Sequence, residues 1–287
     1  MSRTLRVSAS LNLEVVTTTR DRPAHRFDTR SLGELRPPPD RRYANPMSTI
    51  PARLKRAVSP LLGTSRPAFS DEEAAYRRLL SKDWHPDGII DVGAYHGAWT
   101  QMVRRIFTGV PVLMVEAQQR KAARLEALCS ELGNVSFTSA VLGAEAGKEV
   151  TFFEMETGSS YFPERSNAPR TSTTYVTRTL DDVAEALRGS LFLKIDVQGA
   201  ELEVLAGGTG TLKRCEVVQL EVPVVTYNEG APSLLDVIRY MDERDFVPVD
   251  VSGFSRPNGV DLVQMDLLFV KRSSSLRTTF IQFEQFR

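Results

Sequence analysis

The chain has few of the residues that would mark it as a disulfide-stabilised, metal-binding or membrane protein. Only 2 of its 287 residues are cysteine and 3 are histidine. Cys129 and Cys215 form neither a disulfide framework nor a metal-ligand spacing, so we expect two small, partly buried thiols. No apolar run reaches the roughly 18 residues that a membrane span needs. Because the N-terminus also has no signal-peptide core, the expected compartment is the cytoplasm.

The formal net charge of the chain is zero, because 36 Lys and Arg balance 36 Asp and Glu. A balanced chain has no overall electrostatic footprint of a nucleic-acid-binding protein. The charge is uneven, however, because residues 1–70 carry 13 Lys and Arg against 5 Asp and Glu, which leaves the remainder acidic. A hydrophobic content of 41% and a charged content of 25% are ordinary for a globular protein with a core.

The N-terminal part differs in composition from the rest. Residues 1–46 are Arg-rich, contain Pro37-Pro38-Pro39 and follow no helix or strand period, which predicts a disordered basic extension. A basic arm that docks on an acidic partner is the alternative. Met47 is a candidate alternative translation start, which the intact mass of the native protein would test. We interpret residues 47–69 as a linker, residues 70–272 as the folded domain and residues 273–287 as a C-terminal tail.

Beyond the linker, short apolar runs alternate with segments of helical period. This alternation predicts a mostly parallel sheet with helices on both faces. The predicted helices cover residues 70–80, 98–107, 118–132, 180–187, 200–206 and 233–244. The predicted strands cover residues 89–93, 112–116, 135–142, 148–155, 173–179, 191–196, 216–222, 246–251 and 264–271. We expect the last two strands to form an antiparallel hairpin at the sheet edge.

One apolar run leads into a glycine turn, Ile89-Ile90-Asp91-Val92-Gly93-Ala94-Tyr95-His96-Gly97, and the next run ends at Glu116. This combination is typical of a doubly wound domain that binds an adenosine cofactor. Glycine lets the backbone approach the ligand, and a carboxylate can accept hydrogen bonds from both ribose hydroxyls. A tight turn that binds nothing is the structural alternative.

The glycine spacing discriminates between adenosine cofactors. A dinucleotide site uses Gly-x-Gly-x-x-Gly to place a helix N-terminus against the pyrophosphate, whereas Gly93 and Gly97 are spaced Gly-x-x-x-Gly. Asp91 would repel a pyrophosphate but suits the cationic amino acid end of S-adenosylmethionine. The pattern therefore favours S-adenosylmethionine, and a nicotinamide-dependent oxidoreductase is the weaker alternative.

Four acids fall at or near predicted strand ends, namely Asp91, Glu116, Asp196 and Glu221. Ligands of such sheets bind beyond the carboxyl ends of the strands, so we expect these side chains to face one site. Any single one could instead be a helix cap or a solvated loop residue.

A second motif lies at 191–207 and reads Leu-Phe-Leu-Lys-Ile-Asp-Val-Gln-Gly-Ala-Glu-Leu-Glu-Val-Leu-Ala-Gly. Its Lys194 and Asp196 lie in an apolar strand, where charge is costly unless it is paired or functional. The segment resembles the signature of the FkbM family of S-adenosylmethionine-dependent methyltransferases, which usually has Glu at the position of Gln198. Asp91-Val92-Gly93-Ala94 with Gly97 resembles that family's opening motif, although Tyr95-His96 replaces the commoner Asn-x.

The resemblance covers about residues 70–271. It implies a class I methyltransferase fold, which is α/β and Rossmann-like, with a doubly wound seven-stranded sheet whose last strand is antiparallel. It also implies O-methylation of a small natural product, sugar or polysaccharide, a reaction of secondary metabolism. The expected partner is a small-molecule or glycan hydroxyl acceptor, with neither nucleic acid nor membrane, and a homodimer is left open. A non-catalytic cofactor-binding module is the alternative, which the intact acids count against. A nucleic-acid methyltransferase would want a basic face or an Asn/Asp-Pro-Pro-Tyr motif, and the core has neither.

These positions predict roles for the site residues. Asp91 and the glycine turn would hold the methionine portion, Glu116 the ribose, and residues 139–141 the adenine. The loop 158–162 would form a lid or an acceptor wall, unless it is an ordinary connection, and Tyr227-Asn228 could line the acceptor pocket. The predicted cofactor contacts are Asp91, Gly93, Ala94, Tyr95, Gly97, Glu116, Ala117, Ala140, Val141, Ser160 and Asp196.

The candidate catalytic residues are Asp196, His96 and Lys194. Asp196 would position or deprotonate the acceptor hydroxyl. His96 is a second candidate base, because imidazole titrates near neutral pH, and a surface or capping histidine is its alternative. Asp196 and Glu221 on neighbouring strands would also suit Mg²⁺, which prefers oxygen ligands and would lower the pKa of the acceptor.

Overall fold

The structure is a computed structural model that describes residues 71–156 and 158–282. The predictions for residues 1–46 and for the linker lie outside these ranges. The helices are α1 Asp71–Leu80, α2 Ala98–Ile106, α3 Ala122–Leu132, α4 Leu180–Val183, α5 Glu201–Ala206, α6 Thr209–Arg214 and α7 Leu234–Asp242, with a 3₁₀ turn at Gln119–Lys121. The strands are β1 Gly88–Val92, β2 Val112–Glu116, β3 Val135–Ser139, β4 Glu149–Glu154, β5 Thr171–Val176, β6 Leu191–Ile195, β7 Cys215–Pro223, β8 Phe246–Ser255 and β9 Gln264–Lys271.

Seven of these strands form one sheet in the order β3-β2-β1-β6-β7-β9-β8. All neighbours pair in parallel except β9, which is antiparallel to both β7 and β8. The predicted fold class is therefore confirmed: the sheet is doubly wound and its last strand runs antiparallel. The predicted hairpin of the last two strands is also present, with β8 at the edge. A separate antiparallel pair, β4-β5, holds the two extended segments between β3 and α4.

Both faces of the sheet are covered by helices, because two apolar clusters lie on opposite sides of it. Alternate residues of β1 show this directly, since Ile90 belongs to one cluster and Ile89 to the other. Every residue of β1 and of β6 is buried. The register pairs Asp91 with Lys194, so the charged residues of the two motifs lie side by side inside the sheet.

Several boundaries differ from the predicted ones, each for a local reason. Helix α4 begins at a capping box between Thr179 and Asp182, but it ends at Val183. Strand β3 ends at Ser139 instead of residue 142, because the chain leaves the sheet after the backbone N–H of Ala140 bonds to Glu116. Helix α6 was not predicted, because the preceding pair Gly207-Gly208 is typical of a loop.

The helices of the described ranges are short, and the longest of them, α3, has 11 residues. None of them combines the length and the apolar character that crossing a bilayer would require.

Candidate cofactor and acceptor site

A cavity of about 220 Å³ opens at the carboxyl ends of β1, β2 and β6. The sheet therefore places its cavity where ligands of doubly wound domains bind. The predicted cofactor residues that line it are Gly93, Tyr95, Glu116, Ala117, Ala140, Val141, Ser160 and Asp196. The other predicted site residues are not part of its wall, namely Asp91, Ala94, His96, Gly97, Lys194 and Glu221.

The glycine turn is shaped by packing as well as by access to the cavity. Gly93 has φ +79°, and a Cβ there would lie 1.8 Å from the carbonyl oxygen of Asp196. Only glycine can therefore bring the ends of β1 and β6 this close. Gly97, with φ +75°, faces away from the cavity, and a Cβ there would meet Leu128 of α3 at 2.3 Å. Gly97 therefore fits the alternative of a tight turn that binds nothing. Gly93, in contrast, lines the cavity and also allows the ends of β1 and β6 to approach each other.

Glu116 is held in a fixed orientation at the end of β2. Its Oε2 accepts a hydrogen bond from the backbone N–H of Tyr95 at 2.8 Å, and its Oε1 accepts one from the N–H of Gln118 at 2.8 Å. Burial raises the pKa of this carboxyl, while the two N–H donors oppose that rise. Each carboxylate oxygen has a further lone pair, so both can still accept a hydrogen bond from a ribose hydroxyl.

Asp91 lies behind the glycine turn and is fully buried. Its Oδ2 accepts a hydrogen bond from the hydroxyl of Thr100 at 2.7 Å, and its Oδ1 lies 3.3 Å from Nζ of Lys194. The same ammonium donates to the carbonyl of Gly93 at 3.3 Å. Asp91 therefore acts on the turn through Lys194, and direct contact with the methionine portion stays a prediction.

Lys194 connects the two motifs electrostatically. Its Nζ lies 3.4 Å from Oδ2 of Asp196 as well as 3.3 Å from Asp91. Burial alone would lower the pKa of Lys194, but the carboxylates of Asp196 and Asp91 together raise it above its ordinary value. Burial alone would raise the pKa of Asp196, but the charge of Lys194 and the hydrogen bonds of Gln198, Glu221 and Lys194 together lower it below its ordinary value. Lys194 is therefore held as a cation beside Asp196, and its role as a catalytic residue stays a prediction.

Beside Asp196 lies a group of polar side chains, of which Glu221 is buried and Gln198, Tyr227 and Gln264 are half-buried. The amide Nε2 of Gln198 donates to Oδ1 of Asp196 at 3.0 Å and also to Oε2 of Glu221. The amide of Gln264 donates to Oε1 of Glu221. The hydroxyl oxygen of Tyr227 lies 3.2 Å from the side-chain carbonyl of Gln198 and 2.9 Å from that of Gln264. Burial and the nearby Asp196 raise the pKa of Glu221 well above its ordinary value.

This arrangement does not suit the predicted Mg²⁺. Asp196 and Glu221 are close, as expected, but an amide N–H donor lies between them, and an N–H donor cannot ligate a cation. No group of three or more His, Cys, Asp or Glu suited to a metal occurs among residues 71–156 and 158–282.

His96 follows Tyr95, which lines the cavity, and its own side chain is 49% exposed. Its Nε2 is 2.9 Å from Nζ of Lys121 and 3.9 Å from the carboxylate of Glu156. This position matches the surface alternative for His96, and its role as a base stays a prediction.

The loop after β4 forms part of the cavity wall. Ser159, Ser160 and Tyr161 line the cavity, as a lid or acceptor wall would. Just before them, Glu156 accepts hydrogen bonds from the hydroxyl of Tyr95 at 2.6 Å and from Nζ of Lys121 at 2.8 Å. We call the contacts of Glu156 with Tyr95, Lys121 and Arg120 the Glu156 clasp. It ties the loop to the turn after β1 and to the segment after β2.

The sheet topology and the cavity at the carboxyl ends of the strands, with its glycine turn, are those of the class I methyltransferase fold. The family model described as the methyltransferase FkbM domain matches residues 91–248, which is more than half of the chain and includes both motifs. The chain belongs to the FkbM methyltransferase family.

Solved structures of other proteins are similar to the chain at low identity. The methyltransferase FkbM from Methylobacillus flagellatus KT is 16% identical with a TM-score of 0.43, over 72% of this chain and 45% of that one. EvdMO1 is 13% identical with a TM-score of 0.42, over 77% and 47%. Magnesium protoporphyrin IX methyltransferase from Synechocystis PCC 6803, with bound S-adenosylmethionine, is 11% identical with a TM-score of 0.41, over 76% and 89%. The chain thus spans less than half of the first two, and no curated protein matches it.

Proposed function

We propose that the chain transfers the methyl group of S-adenosylmethionine to a hydroxyl oxygen of a small natural product, sugar or polysaccharide. The observation that supports this proposal is the pair of carboxylates on the cavity wall. Glu116 is fixed where it can accept from a ribose, and the ionised Asp196 lies where the wall continues from β1 onto β6. A non-catalytic cofactor-binding module would need the carboxylate of Glu116 but not that of Asp196.

The wall offers each part of the cofactor a chemically suitable surface. Ala140, Val141 and Phe152 supply apolar contacts for an adenine. Glu116 supplies acceptors for the two ribose hydroxyls. The backbone at Gly93 and Tyr95 lies open towards the methionine portion. These assignments agree with the roles that the sequence predicts.

Methyl transfer to oxygen requires little acid or base strength from the protein. S-adenosylmethionine supplies a methyl group on a sulfonium, which is a good leaving group. Holding the acceptor oxygen in line can contribute roughly 7–11 kcal/mol, and a general base contributes about 10²–10⁴-fold in rate. Asp196, a weak base held ionised by Lys194, would accept the hydrogen bond of the acceptor hydroxyl. It would take the proton as the oxygen–carbon bond forms.

The charge around Asp196 favours neutral or cationic acceptors over anionic ones. Glu221 lies on β7, next to β6, and Asp266 lies on β9, next to β7, while Lys194 is already paired with Asp91 and Asp196. Burial, followed by the charge of Asp196, raises the pKa of Asp266 to about 7, so added negative charge is disfavoured here. Hydroxyls of neutral sugars or of amino sugars fit this environment, whereas phosphorylated or uronic acid sugars do not.

An acceptor screen tests the proposal. Purified full-length chain is incubated with S-adenosylmethionine and matched sets of neutral, amino, phosphorylated and uronic acid glycosides, and the demethylated product is quantified. We expect transfer to a hydroxyl in the neutral or amino sets, and a loss of at least about 100-fold in rate for Asp196→Asn. Asp196→Asn should still bind S-adenosylmethionine, which separates catalysis from binding. Transfer to nitrogen, sulfur or carbon, or full activity of Asp196→Asn, would contradict the proposal.

A further inference from the structure

Gln198 adopts a backbone conformation that costs energy, which suggests that its side chain is needed where it lies. Its φ is +57°, in the left-handed region that residues other than glycine seldom adopt. The structure holds it there through Asn228, which is 3% exposed and donates its amide N–H to the backbone carbonyl of Gln198. Strain of this kind persists only where the surroundings enforce it.

The side chain of Gln198 bridges two neighbouring carboxyl groups, which also interact directly with each other. Asp196 follows β6, and its side chain is 35% exposed, whereas Glu221 on the neighbouring β7 is buried, so a charge on Glu221 needs compensation. The Nε2 of Gln198 carries two N–H groups and lies within hydrogen-bond distance of one oxygen of each. The remaining oxygens have their own donors, Lys194 for Asp196 and Gln264 for Glu221. Each of the four carboxylate oxygens thus has a nitrogen donor.

The opposite orientation of the amide is unfavourable. If the Gln198 side chain were rotated by 180°, its carbonyl oxygen would face both carboxylates, and acceptors would meet acceptors. The hydroxyl of Tyr227, which can donate to the carbonyl, would then face an N–H group. The hydrogen-bond network therefore assigns the nitrogen to the side of the two carboxylates.

We propose that the amide of Gln198 takes the place of a divalent cation between Asp196 and Glu221, so that the chain holds Asp196 in position without a metal. Gln198 is then a positioning residue, since it acts through Asp196. The proposal does not depend on the identity of the acceptor. The sequence resemblance agrees with it, because the Glu usual at this position would bring three carboxylates together, a set of oxygen ligands that suits Mg²⁺.

The substitution Gln198→Glu tests this inference, because it changes one amide to a carboxylate of the same shape. Mn²⁺ serves as the probe, and its binding to full-length chain saturated with S-adenosylhomocysteine is measured by electron paramagnetic resonance. We expect no site in the unsubstituted chain, and in Gln198→Glu one site at least about tenfold tighter than any background binding. Adding Asp196→Asn to Gln198→Glu should remove that site.

Two results would overturn the proposal. One is a Mn²⁺ site in the unsubstituted chain that Asp196→Asn abolishes, because the natural pair would then itself hold a metal. The other is a folded Gln198→Glu chain that binds Mn²⁺ no better than the unsubstituted chain.

A second variant covers the case in which Gln198→Glu does not fold. Gln198→Met keeps the approximate volume but removes both N–H donors, so the two carboxylates repel each other unless one is protonated. We expect Gln198→Met to lower the melting temperature more at pH 8 than at pH 5. Equal losses at both pH values would show that Gln198 only fills space and would overturn the proposal. The other ionisable groups around Asp196 and Glu221 are the same in Gln198→Met and in the unsubstituted chain. They are Asp91, Lys194, Glu201, Tyr227, Asp266 and, from α1, Glu72.

Discussion

Nζ of Lys194 lies 3.3 Å from Oδ1 of Asp91, across two strands on which every residue is buried. Each residue belongs to a different sequence motif, and neither lines the cavity. The pair nevertheless determines the site, because the same ammonium holds the carbonyl of Gly93 and the carboxylate of Asp196. The two motifs thus act as one electrostatic unit beneath the cavity.

Substitution of Lys194 by methionine removes the cation from this unit. Asp91 would be left as a buried charge without an ion-pair partner, and breaking a buried pair costs about 3–5 kcal/mol. We expect the free energy of unfolding, measured in urea, to fall by that amount. The matched control is Lys148→Met, which breaks an exposed pair with Glu145 and should cost no more than about 0.5 kcal/mol. A Lys194→Met chain as stable as the control would contradict this account.

Alanine at Gly93 should destabilise the fold more than alanine at Gly147. Both glycines have φ +79°, so both substitutions carry the same left-handed strain, about 1–2 kcal/mol. At Gly147 nothing lies within 4 Å of the added Cβ, whereas at Gly93 it meets the Asp196 carbonyl. Melting temperatures should show a modest loss for Gly147→Ala and a much larger loss, or failure to fold, for Gly93→Ala. Equal losses would mean that β1 and β6 do not approach this closely.

The protein should lose stability as the pH rises from about 4.5 to about 7. Burial raises the pKa of Glu201 to about 7 from an ordinary 4.5, so in this window the folded state binds more protons than the unfolded state. Above pH 7 the cost of a buried charge is fully present, and below pH 4.5 it is absent.

Glu201→Gln tests the source of that loss. Between pH 5 and pH 8 this variant should gain up to about 3 kcal/mol relative to the unsubstituted chain, since one pKa unit corresponds to about 1.4 kcal/mol. Glutamine keeps the Oε1 acceptor that the backbone N–H groups of Val197 and Gly199 use. Urea unfolding at the two pH values provides the measurement. A difference that does not change with pH would show that Glu201 ionises normally.

Release of Glu156 should speed the exchange of S-adenosylmethionine. Hydrogen bonds from Lys121 and Tyr95 lower the pKa of Glu156 to about 2, so the Glu156 clasp is charged at neutral pH. Glu156→Gln would weaken it and free the loop that carries Ser159 and Ser160. Stopped-flow fluorescence should show faster dissociation of the cofactor, whereas Glu145→Gln on another loop should leave the rate unchanged. Identical rates for all three chains would mean that the clasp does not retain the ligand.

The sequence predicted the central sheet well, because its strands are apolar runs bounded by turns. The bounds of β2 and β9 agree with those predicted, and Gly93 and Glu116, both expected at the cofactor site, line the same cavity. Helix α6 was missed, because a local glycine pair outweighed the helical pattern that follows it.

The missed residues depend on long-range register. Gln264 approaches Glu221 only because β9 inserts antiparallel beside β7, where Gln264 pairs with Pro223. The Glu156 clasp depends on a loop folding back over the sheet. The sequence does single out Gln198, as a departure from the family pattern, but its bridging role requires the positions of both carboxylates.

Binding of S-adenosylmethionine to the unsubstituted chain and to Glu116→Ala, compared by calorimetry, tests the central claim most directly. Under the proposed function, Glu116→Ala would remove two hydrogen bonds between a carboxylate and ribose hydroxyls, each worth about 1.5–3 kcal/mol. The account predicts binding at micromolar concentration that weakens at least about tenfold in a Glu116→Ala chain shown to be folded by circular dichroism. Equal affinity of the two chains, or no binding by a folded unsubstituted chain, would contradict it.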